Sequence, residues 1–137
     1  MVQTAQAIQF VTYDTTTGQI SSTSICPEEF LPLQVTAGQG IITGVAADDT
    51  SKYVVADVIT DKPSMPLVIP AGDAVADDLT EFVITGVPTD CAVTVDGEAL
   101  PLVTDGSLEL TFDLAGEYKV IFIKFPYLDD EVTINAA

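Results

Sequence analysis

The sequence predicts an all-β protein made of a small N-terminal β-rich module and a C-terminal β-sandwich. Apolar residues recur at a two-residue period between residues 81 and 134, most clearly at Leu108, Leu110 and Phe112. Gly, Pro and Asp separate these runs at intervals of about ten residues, which is typical of antiparallel strands joined by tight turns. No segment keeps a helical period for more than a turn or two, so we expect only short helices.

The first module is predicted to span residues 1–62. The segments AIQFVTYD and QISSTSI predict two strands, and Thr15–Gly18 joins them into a hairpin. Residues 26–31 predict one helical turn, with Pro27 at its first position and Pro32 ending it. This module is therefore expected to open with a hairpin and a short helix.

The rest of the first module is predicted from turn residues. The segment LQVTAGQGIITGVA predicts two short strands around residues 37–40, and KYVVADVIT predicts a last strand or hairpin. Pro63 and Pro66 remove two backbone donors within four residues and favour an extended chain. We therefore predict a stiff linker over residues 63–66.

The second module is predicted to span residues 67–137. LVIP predicts an edge strand between two prolines. Further strands are predicted at 80–86, 91–96, 99–103, 107–112, 117–124 and 131–135. Asp96-Gly97 and Asp105-Gly106 predict two hairpin turns, because Asp and Gly tolerate positive φ, and Ala115-Gly116 predicts a third turn. This strand spacing predicts an immunoglobulin-like β-sandwich without the Cys…Trp…Cys core of antibody domains.

The charge of the chain restricts its partners. The 137 residues include 21 Asp and Glu but only four Lys and no Arg, which gives a formal net charge of −17. We expect no nucleic-acid partner, because phosphate binding needs clustered Lys and Arg. An anionic membrane surface is disfavoured for the same reason, and no apolar run approaches the roughly 18 residues of a membrane span. Abundant Asp with scarce Lys also raises the hypothesis of a marine or halophilic source.

The N-terminal segment MVQTAQAIQF has neither the basic region nor the continuous apolar region of a signal peptide. We therefore expect the protein to be made in the cytoplasm and kept or assembled there.

The residues that carry nucleophilic catalysis do not occur together in this sequence. The chain has no His, so Ser-His and Cys-His schemes have no members. Cys26 and Cys91 stand alone, and each is predicted to be a small buried apolar side chain, with a disulfide between them as the alternative. Adjacent carboxylates, such as Asp77 and Asp78, are more typical of exposed turns than of acid–base pairs. We predict no enzymatic activity, no catalytic residues and no required cofactor.

Calcium is the alternative use of the acidic turns. Ca²⁺ takes six to eight oxygen ligands, often from Asp-rich loops, although no spacing here resembles an EF-hand. The candidate ligands are Asp73, Asp77, Asp78, Asp129, Asp130 and Glu131. The prediction for these residues is solvated turns, with Ca²⁺ as the alternative cofactor.

The segment Phe125-Pro126-Tyr127-Leu128 interrupts the last strands with large apolar side chains. In an isolated domain, Phe125, Tyr127 and Leu128 would cap the core. In an assembly they would form a contact patch, because Phe and Tyr are enriched at interfaces. Both interpretations remain open from the sequence.

Several segments are similar to one known group of proteins. YDTTTGQI, CPEEFLPLQ, GQGIITGVA and KYVVADVITDKPSMPL in the first half, and ITGVP, VTVDGE, VTDGSLELTFDLAGEYKV and FPYLDDEVTI in the second half, carry the similarity. Together they resemble small tailed-bacteriophage virion proteins of the tail or tail-fibre type, which also occur in prophages and gene transfer agents. The resemblance covers nearly the whole chain, and its motifs are turns and strands.

The resemblance implies a non-enzymatic structural virion protein, present in many copies and in contact with other tail or capsid subunits. It implies localisation in the virion, after assembly in the host cytoplasm. We expect the first half to dock by strand addition at an open sheet edge, because Thr, Ser and Gln are frequent on its strands. The sandwich would then be displayed.

Two alternatives remain. The first is a capsid decoration protein that cements subunit junctions. The second is a glycan-binding module for host attachment, with Tyr118, Tyr127 and the Asp-rich loops as candidates and the lack of Trp against it.

Overall fold

The computed structural model describes residues 7–137. It divides into two compact units with the boundary between Lys62 and Pro63, here called unit 1 and unit 2. In the described part, regular structure consists of eleven strands and one short 3₁₀ helix. The predicted all-β class is confirmed.

Unit 1 contains a three-stranded antiparallel sheet and a separate hairpin. The sheet is formed by β1 (Ala7–Asp14), β2 (Ile20–Pro27) and β3 (Gln39–Thr43), in the order β2-β1-β3. The hairpin pairs β4 (Lys52–Val55) with β5 (Val58–Asp61). The predicted hairpin of the first two strands is confirmed by their antiparallel register.

The central strand of this sheet is covered on both faces. Phe10, Val11, Thr12 and Tyr13 are all buried, although successive side chains point to opposite faces. Thr12 is the polar residue among them, and its hydroxyl lies within hydrogen-bond distance of the hydroxyls of two serines on β2. These bonds satisfy the hydroxyl, which would otherwise destabilise the buried sheet.

Two turns fix the hairpins of unit 1. Gly18 has φ +82° and donates its N–H to the Asp14 carbonyl at 2.7 Å, which closes the β1–β2 turn. Ala56 and Asp57 have φ of 49° and 62°, as a two-residue primed turn requires, so KYVVADVIT forms a hairpin. The Tyr13 hydroxyl donates to the Asp57 carboxylate at 2.6 Å and ties the turn to the central strand.

Two predictions for unit 1 are wrong. The 3₁₀ helix spans Glu28–Gln34 and runs through Pro32, because the φ that proline imposes also suits a 3₁₀ turn. Only one strand forms around the glycines, since the chain before Gly38 turns instead. The Thr36 N–H bonds the Gln39 side chain at 3.1 Å, and the Thr36 carbonyl accepts the Gln39 N–H at 3.1 Å.

Unit 2 is a two-layer β structure. Its strands are β6 (Phe82–Thr85), β7 (Ala92–Val95), β8 (Glu98–Ala99), β9 (Ser107–Leu110), β10 (Gly116–Ile123) and β11 (Asp130–Ala136). One sheet has the order β11-β10-β7-β8, and the other pairs β6 with β9. Both sheets contribute side chains to a single apolar cluster, as expected for a β-sandwich.

The centre of this cluster contains the best-buried side chains of unit 2. Ile84 comes from one sheet, whereas Val93, Val120 and Phe122 come from the other, and each is at most 1% exposed. Burial of each such side chain stabilises the fold by about 1.5–3 kcal/mol. Val120 and Phe122 are two residues apart on β10, so the two-residue period of the sequence marks this core.

The turn predictions for unit 2 have different outcomes. Asp96-Gly97 joins the paired strands β7 and β8, so that hairpin is confirmed. Asp105-Gly106 makes a turn, but β8 and β9 on either side belong to different sheets, and no hairpin forms. The chain also changes sheets between β9 and β10, around Ala115-Gly116.

Two strand predictions in unit 2 are too long. LVIP contributes only a bridge from Val68 to Thr85, because its flanking prolines lack the donors that a ladder needs. Of the strand predicted at 99–103, only Ala99 lies in a regular strand, the two-residue β8. Pro101 interrupts it, and Val103 rejoins the sheet through a bridge to Cys91.

The segment predicted as a linker belongs to unit 2. Met65 is 6% exposed and lies in the apolar cluster of that unit. The Pro63 carbonyl accepts the Leu128 N–H at 2.8 Å. Residues 63–66 thus belong to unit 2, because the Met65 side chain packs into the core of that unit.

Candidate functional site

The outer edge of β2 presents backbone groups without a strand partner in the described part of the chain. The Gln9 carbonyl accepts the Gly44 N–H at 2.7 Å, so the backbone of Gln9 faces β3. Ile25 lies opposite Gln9 across the β1–β2 pair and therefore directs its own N–H and C=O away from β1. By the same alternation, the backbone N–H and C=O groups of Thr23 also point away from β1.

Between Ser21 and Ile25, β2 has no charged residue and no proline that would block this edge. All five residues from Ser21 to Ile25 are exposed, and Ile25 is 60% exposed. No charged residue occurs between Asp14 and Glu28. Proteins usually protect a long edge with Lys, Pro or a bulge. In β2 the irregularity in the ladder lies before Thr23, and Pro27 is the last residue of the strand, so both lie outside the stretch from Thr23 to Ile25. The edge from Thr23 to Ile25 is therefore suited to pairing with another strand.

The 3₁₀ helix adds exposed apolar surface directly after β2. None of its residues is buried, although Phe30 and Leu33 lie within it. Phe30 is 45% and Leu33 75% exposed. The helix contacts β2, so exposed apolar side chains continue from the strand into the helix.

Charge is distributed unequally between the two units. Unit 1 carries seven acidic residues and two lysines, whereas unit 2 carries fourteen and two, so the formal charges are −5 and −12. Only three of the first 47 residues are charged, namely Asp14, Glu28 and Glu29. The β2 edge thus lies in the least charged part of a strongly acidic chain.

The acidic loop before β6 uses Asp77 to hold its own backbone. Asp77 accepts the N–H groups of Leu79 and Thr80 at 2.9 and 2.6 Å, and the Thr80 hydroxyl at 2.6 Å. The hydroxyl bond, followed by the backbone bonds, lowers the pKa of Asp77 to about 2. Asp77 therefore stabilises a turn, and both its oxygens are already engaged.

The predicted calcium ligands do not converge. Glu131 makes an ion pair with Lys119 at 3.5 Å across the β10–β11 pair, and Asp130 is the first residue of β11. Across residues 7–137, no three acidic or thiol side chains come close enough together to hold a metal ion. The calcium alternative remains a prediction without a preformed site in that range.

The predicted contact residues lie in the loop between β10 and β11. Phe125, Tyr127 and Leu128 are all half-buried, and Tyr127 packs against the apolar cluster of unit 2. The Tyr127 N–H donates to the Lys124 carbonyl at 2.8 Å, which closes the turn. Tyr127 therefore caps the core, and a role of this loop in contacts with other proteins remains a prediction.

The remaining predicted residues have local roles. Tyr118 packs its ring on Phe112 with 4.6 Å between centroids and donates its hydroxyl to the Leu114 carbonyl at 2.7 Å. Both cysteines are free thiols. Cys91 is buried as predicted, and burial raises the pKa of its thiol. Cys26 is only half-buried, which corrects its prediction, because it lies near the end of the edge strand β2.

No known protein family, characterised protein or solved structure matches this chain. Within residues 7–137, no helix has the length and apolarity to cross a membrane. The outward-facing residues Thr23 and Ile25 were not singled out from the sequence, although the uncharged run between Asp14 and Glu28 was a usable signal.

Proposed function

We propose that this chain is a non-enzymatic structural virion protein of a tailed phage, associated with the tail as a fibre component or as an adaptor to one. Unit 1 attaches to another virion subunit, and unit 2 is displayed. The observation that supports this proposal most strongly is the uncharged open edge of β2 in a chain with a net charge of −17.

The edge supports attachment for two physical reasons. Outward N–H and C=O groups at Thr23 and Ile25 offer a template on which a strand of a partner subunit gains main-chain hydrogen bonds. Pairing there desolvates no charged side chain of β2, so no unpaired charge is buried. The exposed Phe30 and Leu33 offer apolar area beside the new strand.

The acidity of unit 2 supports its display. A formal charge of −12 favours a surface facing water and repels the like-charged surfaces of neighbouring particles. We infer that unit 2 has an immunoglobulin-like topology, because β6 pairs with β9, β7 with β10, and β10 with β11. A parallel bridge from Ala74 to Ala136 links the start of the unit to its last strand and supports the same topology.

The proposal includes other virion proteins as partners, in a multi-copy assembly, and neither nucleic acid nor a membrane. It contains no catalytic step and no cofactor. The virion is the expected location of the mature protein.

The test of the proposal is incorporation into particles assembled with variants in place of the natural chain. Thr23→Pro removes an outward N–H of β2 while the bonds between β1 and β2 remain, and Thr23→Val is the matched control that keeps the N–H. We expect about tenfold less Thr23→Pro protein per purified particle, corresponding to lost hydrogen bonds and a steric clash. Full incorporation of Thr23→Pro, or of a chain lacking residues 1–62, would contradict the proposal.

A capsid decoration protein is the alternative that the same edge supports, because strand addition does not distinguish a tail subunit from a capsid subunit. Labelling of the chain on intact particles separates the two. A glycan-binding role is less well supported, since Tyr118 and Tyr127 both use their rings or backbones within unit 2.

A further inference from the structure

Unit 2 has a groove between the edges of its two sheets. β8 is the last strand of the four-stranded sheet, and β9 is the edge of the two-stranded sheet. Two cavities of about 470 and 260 Å³ lie along β9, and both are lined by Leu100, Leu110 and Thr111. They form one depression, here called the β8–β9 groove.

The backbone of β9 faces this groove with groups that have no strand partner in the described residues. Thr85 exchanges both hydrogen bonds with Val68, at 2.8 and 3.2 Å, so its backbone points away from β9. The backbone N–H and C=O groups of its partner Ser107 consequently point away from β6. The same holds for the backbone groups of Glu109, two residues later. The Asp105 carboxylate accepts the Ser107 N–H at 3.1 Å, which leaves Glu109 as the central outward residue.

Four leucines line part of the groove. Leu108 and Leu110 are 7% and 8% exposed and point into the core, whereas Glu109 between them points to solvent. On the other side, Leu100 packs against the same core and Leu102 is 55% exposed. In a strand paired with β9, every second side chain would therefore lie beside these leucines, and the side chains between them would lie on the polar outer face.

The rim of the groove has one sign of charge. No lysine lines either cavity, whereas five carboxylates do. They belong to Asp96, Glu98, Asp105, Glu109 and Asp113. A concave site with this rim attracts positively charged side chains. The acidic rim therefore favours cationic side chains in a bound segment, and the two-residue alternation of β9 favours apolar side chains at every second position.

We propose that the β8–β9 groove binds an extended segment of another protein in which apolar residues alternate with Lys or Arg, added as a strand to β9. The apolar side chains enter the groove beside Leu108 and Leu110, and the cationic side chains lie beside Glu109 on the outer face. This proposal does not depend on where the chain is located or on the attachment of unit 1.

The first experiment titrates the full isotope-labelled chain with a short synthetic peptide of alternating Lys and Val, followed by NMR. We expect shifts at Leu100, Glu109 and Thr111, slower hydrogen exchange of the Glu109 amide, and weaker binding as salt is raised. A peptide of alternating Glu and Val is the control. Equal binding of that peptide, or an unchanged Glu109 amide at saturation, would overturn the proposal.

Three variants then test the role of the backbone. Glu109→Pro removes the outward N–H and is expected to weaken the Lys-Val peptide about tenfold. Glu109→Gln keeps that N–H and is expected to weaken binding by less. Thr133→Pro places the same change on an outward position of β11, at the other edge of the four-stranded sheet, and is expected to leave binding intact.

The variants also separate the competing occupants. Equal weakening by Glu109→Pro and Glu109→Gln would mean that charge alone binds the peptide, which refutes strand addition. If the chain dimerises in sedimentation experiments and Glu109→Pro abolishes the dimer, the occupant is a second copy, and the proposal is wrong. If Glu109→Pro does not fold, the exchange of the Glu109 amide in the natural chain decides.

Discussion

Gly18→Ala should destabilise unit 1 far more than its size suggests. Gly18 closes the β1–β2 turn at φ +82°, and a Cβ built there would lie 2.0 Å from the Val54 carbonyl oxygen. The Gly18 carbonyl also accepts the Val54 N–H at 2.8 Å, so the turn is bonded directly to β4. The added methyl group can be accommodated only if the turn and β4 move apart.

The expected loss has two parts. A non-glycine residue at this positive φ costs about 1–2 kcal/mol. Separation of the turn from β4 removes the bond to Val54, which contributes about 0.5–1.5 kcal/mol. The free energy of unfolding of unit 1 should therefore fall by about 1.5–3.5 kcal/mol, a large fraction of the stability of a small domain.

Gly38→Ala is the matched control. Gly38 has φ +83°, but no atom lies within 4 Å of a Cβ added there. The free energy of unfolding of Gly38→Ala should fall only by the cost of a non-glycine residue at positive φ, about 1–2 kcal/mol. Urea unfolding followed by the NMR methyl signals of Val11 and Val54 reports on unit 1 for both variants. Equal losses in the two variants would refute the argument that the turn packs against β4.

Three further outcomes follow from unit 2 and the cysteines. The pKa of Asp77 should be about 2 by NMR titration, and Thr80→Val should raise it. Because the folded pKa is depressed, this carboxylate stabilises the fold above the unfolded value of about 4, and its contribution is lost as pH falls toward 2. Thiol reagents should label Cys26 in the folded chain faster than Cys91, which is buried with a raised pKa. Phe112→Ala should lower the free energy of unfolding by about 3–5 kcal/mol in urea, since Phe112 is 4% exposed.

Each of these three predictions can be contradicted by a specific result. An ordinary pKa for Asp77 would show that its bonds to Thr80 do not persist in solution. Labelling of Cys91 at the rate of Cys26 would mean that the core of unit 2 opens readily. A loss below about 1 kcal/mol for Phe112→Ala would place its ring outside the packed core.

The sequence predicted the strands of unit 2 better than their partners. Alternation at Leu108 and Leu110 marks β9 because it depends only on which face is buried. The same alternation carries no information on the neighbouring strand. Asp96-Gly97 and Asp105-Gly106 have the same local turn chemistry, but only the first joins two strands of one sheet. The difference comes from packing over long distances in the chain.

The candidate sites show the same limit. The edge at Thr23 exists because β1 lies between β2 and β3, and this order follows from pairing with a strand that comes after the 3₁₀ helix. The groove at Glu109 likewise requires two sheet edges on one side of the sandwich. Uncharged and acidic runs were visible in the sequence, but their positions at sheet edges were not. The burial of Met65 in unit 2 was not predicted, because Pro63 and Pro66 indicated a linker.

The central claim is that unit 1 attaches the chain to a virion through β2. A cryo-EM reconstruction of purified particles, with this chain traced in the map, tests it most directly. We expect a strand of a tail subunit to pair with β2 at Thr23 and Ile25, and unit 2 to face outward. Particles that lack the chain, or in which unit 2 makes the contact while β2 faces solvent, would contradict it.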